Sequence, residues 1–164
     1  MSSALQRTFV HLPAIVLNTG QDVFALALRV WVSWQFLISG WLKVTSWENT
    51  LFLFREEYRV PLLPPGAAAV AGTAGELVFP VFLVLGLAGR LVALGLSAVN
   101  AMAVVAYTHV LLSDGFEGAI RQHELWALAL GVIVLYGPGR LSLDYLFARG
   151  AARTQPGTSA LVTI

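Results

Sequence analysis

The sequence contains no cysteine. That absence removes thiol nucleophiles, disulfide relays, iron–sulfur ligation and cysteine-bound zinc together. It leaves the redox compartment unreadable, because an oxidising space does not demand disulfides. Charge is scarce too. Asp, Glu, Lys and Arg make up 12% of the 164 residues, against roughly 25% in a soluble domain. The net charge of +1 comes without the clustered basic face that nucleic acid requires, so no nucleic-acid partner is expected. No glycine loop could cradle a phosphate. Gly72-x-x-Gly75 and Gly86-x-x-Gly89 need only close helix approach as explanation. No Ser/His/Asp triad can be assembled, since the candidates lie at different depths. The apolar stretch Phe9–Leu17 is interrupted by His11 and Pro13 and followed by no small-x-small cleavage pattern. Residues 1–22 therefore read as a retained interfacial segment.

What is abundant is apolar surface. Hydrophobic residues make up 57% of the chain, above the roughly 45–50% of soluble domains. They gather in four segments: Val23 to Leu42, Gly66 to Leu87, Leu91 to Leu112 and Leu125 to Tyr136. Spanning a hydrocarbon core takes roughly 20 helical residues. The fourth segment reaches that only if His123, Glu124 and the Gly137 region lie in the interface. No strand alternation is present, and unsatisfied backbone in lipid leaves helix as the conformation. The expected fold is all-α, a four-transmembrane-helix bundle over residues 23–146. The turn Ala88-Gly89-Arg90 makes an antiparallel hairpin of spans two and three. The long connection, Val44 to Pro65, holds aromatic and acidic residues between Trp47 and Tyr58. They suit a short amphipathic helix on the membrane surface, before Pro64-Pro65-Gly66 starts the second span. Beyond Gly137-Pro138-Gly139, Ser142 caps an interfacial helix, Leu143–Arg149. Residues 147–164 form a tail that is predicted to be disordered.

Four spans place both termini on one side. Arg7, Arg90, Arg140, Arg149 and Arg153 lie there, and Lys43, Arg55, Arg59 and Arg121 on the other. The bias is small, but Arg90 sits in a minimal loop. Both termini are predicted to be cytoplasmic, in the inner membrane.

Each of the first three spans carries a charged or amide residue at depth: Arg29, Glu76 and Asn100. A charge at depth costs roughly 2.5–3.5 kcal/mol on insertion scales and is usually turned inward and paired. Glu76 lies roughly 15 Å below Gly66, and Arg29 roughly 21 Å from Lys43, at 1.5 Å per residue. The difference of about 6 Å is within reach of the long arginine stem. An Arg29–Glu76 pair with Asn100 beside it is the expectation. Such a cluster either fixes helix packing or serves as a proton path or a binding site for a polar head group. A second group, Lys43, Tyr107, His109, His123 and Glu124, gathers at the outer end. Two imidazoles alone make a poor metal cage, and Met102 is too deep for a copper set, so no metal site is assigned and haem and copper are disfavoured. Trp41 and Trp47 suit an aromatic belt. Trp31 and Trp34 lie deeper, as candidates to line a flat ring.

An ordered series of short motifs resembles the DoxX family. Leu26-Ala-Leu-Arg29 and Phe36-Leu-Ile-Ser-Gly40-Trp-Leu-Lys43 are similar to the family's first helix. Gly75-Glu76-Leu77 and Gly86-Leu87-Ala88-Gly89-Arg90-Leu91 are similar to its second and third helices. Tyr136-Gly-Pro-Gly139-Arg140-Leu-Ser142-Leu-Asp144 is similar to its characteristic end. The resemblance implies a four-helix bundle with a polar cluster of Arg29, Glu76 and Lys43. It also implies an accessory or quinone-facing subunit of a membrane oxidoreductase or redox/metal-stress system; the cofactor is left unknown, with quinone as the candidate. The family takes its name from a subunit of a thiosulfate:quinone oxidoreductase. Other relatives are associated with oxidative or thiol stress and copper-handling peptides. The partners then expected are the lipid bilayer and other membrane or periplasmic proteins docking on loop 44–65; a homo-oligomer stays open. The alternatives are a non-catalytic membrane anchor or assembly partner, and a small transporter or metal-handling protein, although the chain lacks the broken-helix pair of transporters.

Overall fold

The computed structural model describes the backbone of residues 3–154 and the side chains of residues 17–151. Among the described residues all regular structure is helical. The elements are α1 (Ser3–Thr45), α2 (Trp47–Glu56), α3 (Pro65–Leu85), α4 (Gly89–Ala106), α5 (Thr108–Leu111), α6 (Glu117–Tyr136) and α7 (Leu143–Thr154). Four helices are long and apolar enough to cross a bilayer: Leu17–Thr45 within α1, then α3, α4 and α6. α1 packs on α3, α3 on α4, α4 on α6, and α6 returns to α1. The fold is an all-α, four-helix membrane bundle.

Several boundaries differ from those expected. The first helix does not begin near Val23: residues 3–22 continue it, giving 43 residues and about 65 Å of length. The fourth span begins at Glu117 rather than Leu125. His123 is therefore nearly two turns inside the helix instead of at its mouth. The third span breaks at Tyr107. There the Ala106 carbonyl accepts the Arg59 N–H at 2.9 Å, so the connection takes over an acceptor that a continuing helix would have used. Residues 147–154, expected in a disordered tail, are helical in α7; residues 155–164 lie outside the described residues.

The bundle has two unlike ends. At the hairpin end, α3 stops at Gly86, whose φ of 66° is left-handed. Gly86 N–H donates to Leu83 O and Leu87 N–H to Phe82 O, both at 3.0 Å, a Schellman closure. A Cβ at Gly86 would lie 2.5 Å from both Arg29 Nη1 and Ser142 Cβ, so only glycine fits. Beside it packs the main apolar core, with Val32, Leu83, Leu96, Leu130 and Ile133 essentially without exposure. At the connection end, α2 seats Phe54 on Ala68 and Ala69 of α3, with Trp47, Leu51, Tyr58 and Val60 around them. Between core and connection the bundle is hollow.

Candidate functional site

Arg29 and Glu76 do not meet. Arg29 is completely buried at the hairpin end, where it caps α3. Its Nη1 donates to Val84 O at 2.9 Å and to Leu83 O at 3.3 Å, and its Nη2 donates to Leu141 O. A cation on the last carbonyls of a helix also meets the favourable end of the helix dipole. The opposite charge is placed on the next helix. The Asp144 carboxylate accepts Ala88 N–H at 2.7 Å and Gly89 N–H at 2.8 Å, filling the open donors at the start of α4. Asp22 accepts Arg140 N–H at 2.8 Å. The segment after α6 is thus held to the hairpin by Asp144 and to α1 by Arg29 and Asp22.

Glu76 is paired with Lys43. Nζ donates to Oε1 at 2.6 Å and to Oε2 at 2.5 Å, and also to Ser39 Oγ at 2.9 Å. The register of α1 on α3 explains the exchange of partners. A Cβ at Gly40 would sit 2.9 Å from the Leu77 side chain and 3.1 Å from Glu76 Cβ, so Gly40 is level with Glu76. Arg29, eleven residues earlier, is level with Gly86. The separation along the bundle is about 15 Å, too far for a guanidinium to cross.

Lys43 and Glu76 border a cavity of about 520 Å³ lined by α1, α3, α4 and α6, with α2 and the connection contributing Phe54, Tyr58, Val60 and Leu63. Its size is that of a small-molecule site, which typically spans about 300–1,000 Å³. Phe36, Phe79, Val99 and Trp126 line it with apolar surface. Two aromatic strings border it. Phe36, Trp126 and His123 follow one another with ring centroids 5.3 and 5.0 Å apart. Phe54, Tyr58 and Tyr107 do so at 4.9 and 5.0 Å. Polar groups enter at a few points: the Lys43–Glu76 pair, Gln35, the Tyr58 and Tyr107 hydroxyls, and His123. Asn100 stands behind His123. Its Nδ2 donates to the His123 carbonyl at 3.0 Å, and its Oδ1 lies 2.8 Å from His123 Nδ1. Tyr58, in the connection, is held above its ordinary phenol pKa, by burial first and then by the neighbouring Tyr107, Glu76 and Glu57.

Of the sequence candidates, Glu76, Lys43, Tyr107 and His123 line this one cavity, with Asn100 in contact through His123. Arg29 belongs to the hairpin end. His109 is exposed and only packs edge-on against Tyr107, 5.6 Å between ring centroids. Glu124 is exposed. Trp31 and Trp34 are exposed on α1, beside a shallow apolar groove with Val23 and Leu26, so they do not line the site. The tryptophan that does is Trp126, among the rings of Phe36, Phe79 and Tyr58, with the Gln35 amide beside them. One signal could have found Trp126: it follows His123 by three residues and shares its helix face.

A family model described as DoxX matches residues 24–109, just over half of the chain. The chain belongs to the DoxX family. The matched stretch of this DoxX protein carries Arg29, Lys43, Glu76, Asn100 and Tyr107, whereas His123, Trp126 and Asp144 lie beyond it. Over 135 residues the chain is 27% identical to an uncharacterized protein of Haemophilus influenzae, covering 79% of this chain and 87% of that relative. No solved structure matches it.

Proposed function

We propose that this DoxX protein is a quinone-facing subunit of a membrane oxidoreductase or redox-stress system, and that the cavity between α1, α3, α4 and α6 receives the quinone head group. The observation that carries this reading is the composition of that cavity. A quinone needs apolar walls for its ring and a few polar groups for its oxygens. Phe36, Phe79 and Trp126 supply the walls, Gln35, Tyr58 and Tyr107 supply adaptable hydrogen-bonding groups, and His123 adds a ring nitrogen. The Lys43–Glu76 pair, bonded at 2.5–2.6 Å, offers a carboxylate that can hold or pass a proton beside the ring. Bound there, a quinone would supply two-electron redox chemistry.

The test is ligand-dependent stability of the purified protein in detergent. A short-tailed quinone should raise the melting temperature, in proportion to the logarithm of its concentration above Kd. Phe36→Ala and Trp126→Ala should weaken that shift, whereas Trp34→Ala, on the outer face, should not. If no quinone moves the melting temperature, the cavity is not a quinone site, and a membrane anchor for partner proteins becomes the better description.

A further inference from the structure

Resting on the quinone reading of the cavity, we infer that the site selects the reduced, hydroxyl-bearing form of its ligand, and that His123 Nε2 is the acceptor that makes the selection. The inference follows from how Asn100 is anchored. The His123 carbonyl can only accept, so the Asn100 group facing it at 3.0 Å is the amide NH₂. That turns Asn100 Oδ1 toward His123 Nδ1, 2.8 Å away. An amide oxygen can only accept, so Nδ1 carries the proton. In the neutral ring, Nε2 then presents a lone pair. No described group engages Nε2, and His123 lines the cavity.

The neighbouring ion pair agrees. Lys43 Nζ is engaged by Ser39 Oγ and by both oxygens of Glu76. The Glu76 carboxylate is an acceptor with lone pairs to spare. Trp126 Nε1–H has no partner but is sealed from the cavity. Gln35, Tyr58 and Tyr107 can turn either way. His123 Nε2 and the Glu76 carboxylate therefore accept, and they are matched by an aromatic ligand that donates: a hydroquinone rather than a quinone. Asn100 is a positioning residue, acting through the tautomer it imposes on His123.

The experiment titrates the quinol and quinone forms of one short-tailed benzoquinone into the purified chain in lipid nanodiscs, without oxygen, read by tryptophan fluorescence. The quinol is expected to bind about tenfold tighter, the worth of one hydrogen bond made rather than a pair of facing acceptors. In His123→Phe, which keeps a ring against Trp126, that ratio falls to about one. His123→Gln, with a side chain that can donate or accept, gives the same loss of preference and serves if the phenylalanine variant does not fold. Asn100→Leu frees the tautomer and narrows the ratio with histidine still in place. Nitrogen NMR of the labelled protein, with His123 assigned by its loss in the variant, should show a protonated Nδ1 and an unprotonated Nε2. Equal binding of both forms to the wild type, or a bare Nδ1, overturns the inference and leaves the quinone site standing. Binding of neither form overturns both.

Discussion

The Lys43–Glu76 pair is the residue-scale feature with the clearest energetic signature. Removing one member of a buried pair typically costs about 3–5 kcal/mol, because the other charge is stranded. The Lys43 side chain keeps 19% exposure, so the lower end of that range applies. Lys43→Leu and Glu76→Leu should each lower the melting temperature, and the double substitution should recover part of the loss. Arg29→Leu combined with Glu76→Leu should show no recovery. Equal deficits in the two double variants would mean that the pairing is wrong. Tyr58 gives a pH dependence. Its phenol is raised in the fold, so the neutral form is favoured and its contribution is complete below the unfolded value near 10. That contribution is lost as pH rises through the folded value. Melting temperature should decline above about pH 10 less steeply in Tyr58→Phe than in the wild type. The sequence made Glu76, Lys43 and Asn100 legible because a charge or amide among apolar residues stands out. The partners of Arg29 were hidden, since backbone carbonyls leave no mark in a sequence.

Among the elements, the closure at the hairpin end should be the least tolerant of change. Gly86→Ala imposes a left-handed φ on a residue with a Cβ, costing about 1–2 kcal/mol, in addition to the contact with Arg29 and Ser142. Arg29→Lys loses the planar fork that serves three carbonyls, and each buried acceptor left open costs about 1–3 kcal/mol. Both should lower the melting temperature more than Gly20→Ala, whose Cβ would meet nothing within 4 Å. A thermal series in detergent checks the order, and Gly86→Ala melting with the wild type would contradict it. The spans, the hairpin, α2 and the presence of α7 were readable from apolar runs and from proline and glycine punctuation. The register of α1 on α3 was not. A connection of about twenty residues separates the two helices, so no loop geometry ties their levels, and the contact of Gly40 with Glu76 and Leu77 sets them instead. The start of α6 is not legible in the sequence, because Arg121, His123 and Glu124 have the polarity of a loop, and only the cavity explains why one of them lies inside a helix.

At the scale of the whole molecule, orientation in the membrane is the open variable that chemistry can read directly. The arginine distribution predicts cytoplasmic termini. Because the chain has no cysteine, single substitutions report without background. Asn49→Cys and Ser113→Cys should react in intact cells with an impermeant thiol reagent, and Ala148→Cys only after lysis. The reverse pattern would invert the molecule. Whichever way it sits, one bond gives the fold a property beyond shape. The Arg59 amide is tied to the Ala106 carbonyl at the break beneath Tyr107, and Tyr107 borders the cavity. A guest that shifts the backbone at Tyr107 would load that bond, so filling the bundle and holding the 57–64 connection in place are linked through a single backbone contact.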